Sequence, residues 1–171
     1  MDASALTSRR HCATAIFAAF LAMSAKTAVG QQSVGGFDIS SASQQRISDV
    51  EMKFSGGITM QRGDTTVVAD DVTFFTDRDV LVATGKVVFS QGGNKINSEG
   101  ATFDVKTQFG TFVRAYGVFA VQAVTPLYFY GETVEQTDSK TYRVTNGGFT
   151  SSTQPNPSWQ GRSAAIVFKV E

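Results

Sequence analysis

The sequence predicts an all-β fold, a repeated-strand jelly roll in which a partly open sheet folds over on itself, preceded by a signal peptide. Short runs of alternating apolar residues continue from Val50 onward, and glycine-rich turn sequences separate them. A block of strands also recurs along the chain. We expect a signal peptide at 1–30, a flexible lead-in at 31–46 and a single domain at 47–171.

The N-terminus has the three parts of a secretory signal. Arg9-Arg10 supplies the positive region, residues 12–25 form a short apolar run, and residues 28–30 are small enough for cleavage. The alternative is an anchor that stays attached, although the apolar run is short for a membrane span. Cleavage removes His11 and Cys12, so the mature chain contains neither an imidazole base nor a thiol nucleophile.

The remainder of the chain divides into a polar segment and a segment of alternating apolar and polar residues. Residues 31–46 are polar and rich in serine, glutamine and glycine, which predicts the flexible lead-in. From residue 50 the apolar residues alternate with polar ones, as in half-buried strands. Glycine-rich sequences at 56–57, 62–64 and 92–94 predict tight turns between these strands.

The predicted strands belong to an internal sequence repeat. Residues 56–77 match residues 85–106 in their apolar face, in their turn glycines and in one acidic residue before a strand, Asp70 or Glu99. A weaker third copy begins near residue 128, and Glu132 holds the acidic position there. A single unit cannot bury its apolar face, whereas stacked units share one interior.

The apolar residues that the repeat matches are the candidate functional residues. They are Ile58, Met60, Val72, Phe74, Val87, Phe89, Ile96 and Phe103. These residues form either an ordinary packed core or the lining of a groove for acyl chains. Lipid binding needs no catalytic group, because each buried methylene contributes about 0.8 kcal/mol.

Charge and residue types exclude several functions. The chain has 15 basic and 15 acidic residues and no basic block, which argues against a nucleic-acid partner. The acidic residues at 77–79 are better explained by a turn than by a metal site. No pair of carboxylates is marked for glycoside hydrolysis, and the hydroxyl residues 151–153 have no histidine base. We therefore expect a protein without enzyme activity, metal or cofactor.

Residues 67–119 resemble the OstA-like (organic-solvent-tolerance A-like) repeat. The resemblance lies in an acidic residue, an apolar-x-apolar strand, the sequence ATGKVVFSQGG and a second acidic strand. The stretch at 128–159, with Pro155-Asn156-Pro157-x-Trp159, is similar to the end of the N-terminal domain in outer-membrane assembly proteins of this family. Two features depart from the family pattern. Ser152 stands where relatives commonly carry cysteine, and the sequence stops at Glu171, where relatives continue into a β-barrel.

The resemblance implies periplasmic binding of lipopolysaccharide, or of a similar acylated lipid, and its transfer toward the outer membrane within a lipid-transport bridge. Implied partners are that lipid, other OstA-like or lipopolysaccharide-transport (Lpt) proteins joined through edge strands, and an outer-membrane β-barrel. The implied location is the periplasm, with association at the outer membrane. The alternative function is an exported structural or interaction module that pairs through open edge strands without holding lipid.

Two segments near the C-terminus bear on these functions. The last predicted strand, 163–170, is apolar and carries no blocking charge before Lys169, so it favours pairing with another sheet. The stretch 145–159 is either the joint to a barrel, as the resemblance implies, or a long polar hairpin at a sheet edge with Trp159 as a cap.

Overall fold

The computed structural model describes residues 30–121, 126–152 and 156–170, and in these ranges the chain is all-β. The predicted signal peptide and Pro155 lie outside the described residues, except for Gly30 at the start of the first strand. The strands are β1 Gly30–Val34, β2 Phe37–Ser41, β3 Ser43–Ser48, β4 Glu51–Arg62, β5 Thr65–Phe75, β6 Val80–Gln91, β7 Asn94–Asp104, β8 Gly110–Phe119, β9 Leu127–Asp138, β10 Thr141–Thr150 and β11 Gly161–Lys169. No helix with the length and apolar character of a membrane span occurs among the described residues.

All eleven strands belong to one antiparallel sheet, which confirms the predicted fold class. The order is β1-β2-β4-β5-β6-β7-β8-β9-β10-β11, and β3 pairs with β4 beside β2. Each strand from β4 onward pairs with its neighbour in sequence, as expected for short connections. β1 and β11 each pair with one strand only, so the sheet is open at both ends.

Residues 31–46, where a flexible lead-in was expected, instead contribute to β1, β2 and β3. β2 pairs with the second part of β4 and β3 pairs with the first part, so together they follow one bent neighbour. Phe37 and Ile39 are fully buried in the core. Val34 is buried in the same core, so three inward apolar residues anchor this segment although its composition is mostly polar.

The predicted turn at 56–57 is a bend inside a strand rather than a connection between strands. The register between β4 and β5 shifts between Ser55 and Ile58, and Gly56 has a φ of 91°. Such a β-bulge bends the strand, and Phe54 and Ile58, one on each side of the bend, both face the interior. The other two predicted turns are confirmed, since residues 63–64 and 92–93 connect consecutive strands.

The bends repeat with the sequence repeat. Positive φ values occur at Gly56, Gly85 and Arg114, which are equally spaced along the chain, and again at Asn146 in β10. At each of these positions the adjoining ladder skips or shifts its register. The repeat therefore encodes one bend in each successive pair of strands.

The acidic residue of each repeat lies beside a bend of the next strand. Asp70 Oδ2 accepts a hydrogen bond from the backbone N–H of Lys86 at 3.2 Å, next to Gly85. Glu99 accepts one from Arg114 at 2.6 Å, and Glu132 accepts one from Asn146 at 2.8 Å. These acids were expected before a strand, whereas each lies in the middle of a long bent strand.

The bends divide the folded sheet into two layers. Layer 1 contains residues 43–48, 51–55, 71–75, 80–84, 100–104, 110–113, 133–138, 141–145 and 165–169. Layer 2 contains residues 37–41, 58–62, 65–69, 87–91, 94–98, 115–119, 127–131 and 147–150. The inward side chains of both layers form one core cluster. We call the side opposite the bends, where strand ends of the two layers meet, the seam.

Candidate functional site

The eight candidate residues all face the interior between the two layers. Ile58 and Met60 lie in β4, Val72 and Phe74 in β5, Val87 and Phe89 in β6, and Ile96 and Phe103 in β7. Seven of them are at most 2% exposed, and the eighth, Phe74, is half-buried and packs against the same cluster. The structure therefore brings together every residue that the repeat singled out.

The interior between the layers is filled by side chains. Phe89 in layer 2 stacks on Phe103 in layer 1, with ring centroids 6.3 Å apart. Phe112 of layer 1 meets both rings edge-on, at 5.1 Å from Phe89 and 5.6 Å from Phe103. A chain of methylenes inserted here must displace these contacts, because well-packed interiors leave few voids.

A second aromatic group fills the part of the interior near the C-terminal strands. Phe119 of layer 2 lies 4.8 Å from Tyr142 and 5.4 Å from Phe168, both of which belong to layer 1. Phe129 stacks on Phe119 at 4.1 Å. Sequence reasoning left these residues out because the third repeat is weak, although alternation in 127–134 and 142–150 could have revealed Phe129 and Tyr142.

Tyr142 also links the two layers across the seam. Its hydroxyl donates a hydrogen bond to Oε1 of Gln91 at 3.2 Å. Burial, assisted by the negative charge of Asp64, raises the pKa of Tyr142 well above its usual value. The phenol therefore remains a neutral donor at physiological pH, and the seam is held by a polar contact as well as by aromatic rings.

The stretch 145–159 forms the end of β10 and part of the connection to β11. Thr150 Oγ1 donates to the backbone carbonyl of Trp159 at 2.6 Å, and the backbone N–H of Ser158 donates to Ser152 Oγ at 2.8 Å. Trp159 is 46% exposed and meets Phe149 edge-on at 5.9 Å. This geometry has the form of a long hairpin connection in which the tryptophan covers one apolar ring.

The last strand lies at the edge of the sheet. Residues 163–170 were predicted to form it, and β11 covers Gly161–Lys169. It pairs with β10 alone, in a ladder that matches Val167 with Arg143. Val167 is 57% exposed, so an apolar side chain stands on a strand whose outer side has no partner among the described residues.

The acidic residues at 77–79 lie in the connection between β5 and β6, as the turn interpretation predicted. Asp79 has a φ of 54° and pairs with Lys106 at 2.9 Å, while Asp77 lies 3.7 Å from Arg78. The hydrogen bond and charge of Asp79 raise the pKa of Lys106. Within the described ranges, no three His, Cys, Asp or Glu side chains come together in a way that could hold a metal ion.

Comparison with known proteins gives one curated relative. No family model matches the chain. Over 137 residues the chain is 26% identical to the LPS-assembly protein LptD of Vibrio cholerae serotype O1. The match covers 80% of this chain, and the chain spans only 17% of the length of that protein. The match supports a distant relationship to LptD and to the OstA-like proteins, in agreement with the resemblance read from the repeats.

Proposed function

We propose that this protein binds lipopolysaccharide, or a similar acylated lipid, in the periplasm and passes it toward the outer membrane without catalysing a reaction. The observation that carries the proposal is a continuous apolar inner face on a sheet that folds over without closing into a barrel. The distant relationship to an LPS-assembly protein supports the same lipid class.

The seam is the route by which the lipid enters. The bends join the two layers by continuous backbone at Gly56, Gly85 and Arg114, so the layers cannot separate there without breaking strands. Among the described residues, the layers meet across the seam through side chains and turns and not through a backbone ladder, as Tyr142 does with Gln91. These contacts open at lower cost than the backbone ladders, and each methylene of the guest restores about 0.8 kcal/mol of apolar burial.

A disulfide across the seam tests this route. A Cβ atom built on Gly35 would lie 3.0 Å from Cβ of Val105, about 0.5 Å short of the separation of about 3.5–4.5 Å in a disulfide, so that a small outward shift of the backbone brings the two positions into range. Cysteines at both positions, in a Cys12→Ser background, should therefore form a bond that holds layer 2 to layer 1. Purified lipopolysaccharide should be retained by the reduced protein and excluded from the oxidised one, with native mass spectrometry as the readout.

Each result of this experiment has a defined meaning. Because the same protein is measured before and after reduction, loss of fold is separated from loss of access. Equal retention in both states would contradict entry at the seam. If the unmodified protein retains no lipid, even when it is purified from cell envelopes, the proposed lipid function is wrong. The alternative function, an interaction module that does not hold lipid, then takes its place.

The open edges of the sheet supply the partner contacts that the proposed function needs. β1 and β11 each present one side without a strand partner among the described residues. Strand addition between such edges joins sheets of separate proteins through backbone hydrogen bonds. We propose that OstA-like and Lpt proteins join this protein at these edges, so that their apolar inner faces form one continuous path toward an outer-membrane partner.

A further inference from the structure

The seam contains a small cavity of about 110 Å³. Layer 2 contributes Arg62 and Gln91 to its wall, and layer 1 contributes Phe103 and Gln136. Phe89 closes it toward the core, so that the aromatic stack of Phe89 and Phe103 forms its inner end. The cavity therefore lies where the polar surface of the seam meets the apolar interior.

The cavity wall combines a single charge with neutral polar groups. Arg62 is the only charged residue among the described residues that line it, and the other polar side chains are amides and hydroxyls, which can all donate hydrogen bonds. No carboxylate among the described residues lies within 4.0 Å of the Arg62 guanidinium. A single positive charge, surrounded by neutral groups that can also donate hydrogen bonds, matches an acceptor with negative charge.

The Arg62 side chain is held in place by its neighbours, but one of its N–H groups has no hydrogen-bond acceptor among the described residues. Its guanidinium carbon lies 5.7 Å from the centre of the Phe37 ring, and a Cβ atom built on Gly36 would lie 3.4 Å from that carbon. The atom Nη1 is buried and has no hydrogen-bond partner among the described residues. A buried N–H without an acceptor costs free energy and is uncommon in native proteins, so we expect a bound acceptor at this atom.

We propose that this cavity binds the anionic oxygen group, a phosphate or a carboxylate, of an acylated lipid, with Arg62 as its main ligand. The planar guanidinium fork pairs well with either group through two parallel hydrogen bonds. Acyl chains attached to the anion continue inward by displacing the contact between Phe89 and Phe103. The proposal rests on the proposed lipid function and adds to it the chemical group by which the lipid is oriented.

Three amphiphiles with the same chain test the proposal on the full-length protein: dodecyl phosphate, dodecanoate and uncharged dodecyl glucoside. We expect the protein to bind at least one of the two anions about tenfold more tightly than the glucoside. Arg62→Gln should remove that preference and leave glucoside binding unchanged, while Arg62→Lys should retain part of it. The difference between the two anions identifies phosphate or carboxylate as the preferred group.

Arg143→Gln is the matched control, because Arg143 is an exposed arginine on β10 and undergoes the same chemical change. Its preference for the anions should equal that of the unmodified protein. If all three amphiphiles bind equally, or if the preference survives in Arg62→Gln, the anion site is refuted and the lipid function remains. If none of them binds the unmodified protein, the anion site fails together with the lipid function.

Discussion

Phe89 and Phe103 stack across the interior, with ring centroids 6.3 Å apart and planes inclined by 22°, although they are not paired in the sheet. Within the ladder of β6 and β7, Phe89 is opposite Ile96 and Phe103 is opposite Leu81. Their contact therefore exists only because both strands bend and bring their two ends together. The stability of the folded-over sheet thus depends on the bends and on the aromatic rings between the layers.

The first prediction concerns the aromatic ring at the centre of this contact. Phe103→Ala should lower the free energy of unfolding by about 3–5 kcal/mol, because it removes a large buried side chain and leaves a cavity. Thr102→Ala, at the neighbouring exposed position, should change it by no more than about 0.5 kcal/mol. Urea denaturation followed by circular dichroism measures both. A small loss at Phe103 would mean that the layers are not packed through this ring.

The second prediction concerns the bend at Gly85. A Cβ atom there would lie 2.3 Å from Oδ2 of Asp70 and 2.6 Å from its Cβ, whereas one at Gly57 would meet open space. Both glycines have positive φ, 87° and 78°, so alanine is strained at either site. Gly85→Ala should therefore cost about 1–3 kcal/mol more than Gly57→Ala, because Asp70 must also move. Equal losses in thermal or urea unfolding would contradict this account of the bend.

The third prediction concerns pH. Since burial raises the pKa of Tyr142, the unfolded chain releases the phenol proton first, near its ordinary pKa of about 10. The contribution of the neutral phenol is present below that pH and is lost as the pH rises toward the folded-state pKa. The free energy of unfolding should thus fall above about pH 10, and Tyr142→Phe should show a shallower fall. If the free energy of unfolding of the two proteins falls equally with pH, the Tyr142 phenol does not cause the loss of stability.

The fourth prediction concerns the edge strand. Val167→Lys places a charge on β11, where an exposed edge otherwise favours strand addition, and should weaken self-association or capture of OstA-like domains. The same change at Val113, an exposed valine in the interior strand β8, should leave association unchanged. Light scattering across a concentration series gives the direct comparison. A protein that stays monomeric at high concentration, before any substitution, would rule out self-association at this edge.

The sequence alone determined most of the strands from residue 50 onward, the hairpin turns at residues 63–64 and 92–93, and the inward-facing residues of the first two repeats. These features are local, because alternation with a period of two fixes which side chains share a face, and turn residues fix where the chain reverses. The match between the repeats also placed Asp70, Glu99 and Glu132 in equivalent positions, and in the structure these residues lie beside successive bends.

Only the tertiary structure decided whether Gly56 reverses the chain or bends a continuous strand, since glycine permits both and the partner strand selects one. It also decided that residues 31–46 belong to the sheet, because the burial of Phe37 and Ile39 outweighs the polar composition of this segment. Arg62 belongs to a turn that the sequence predicted, but no pattern in the sequence marked it as a ligand for an anion. Its surroundings come from segments far apart in the chain, which become neighbours only after the two layers have folded together.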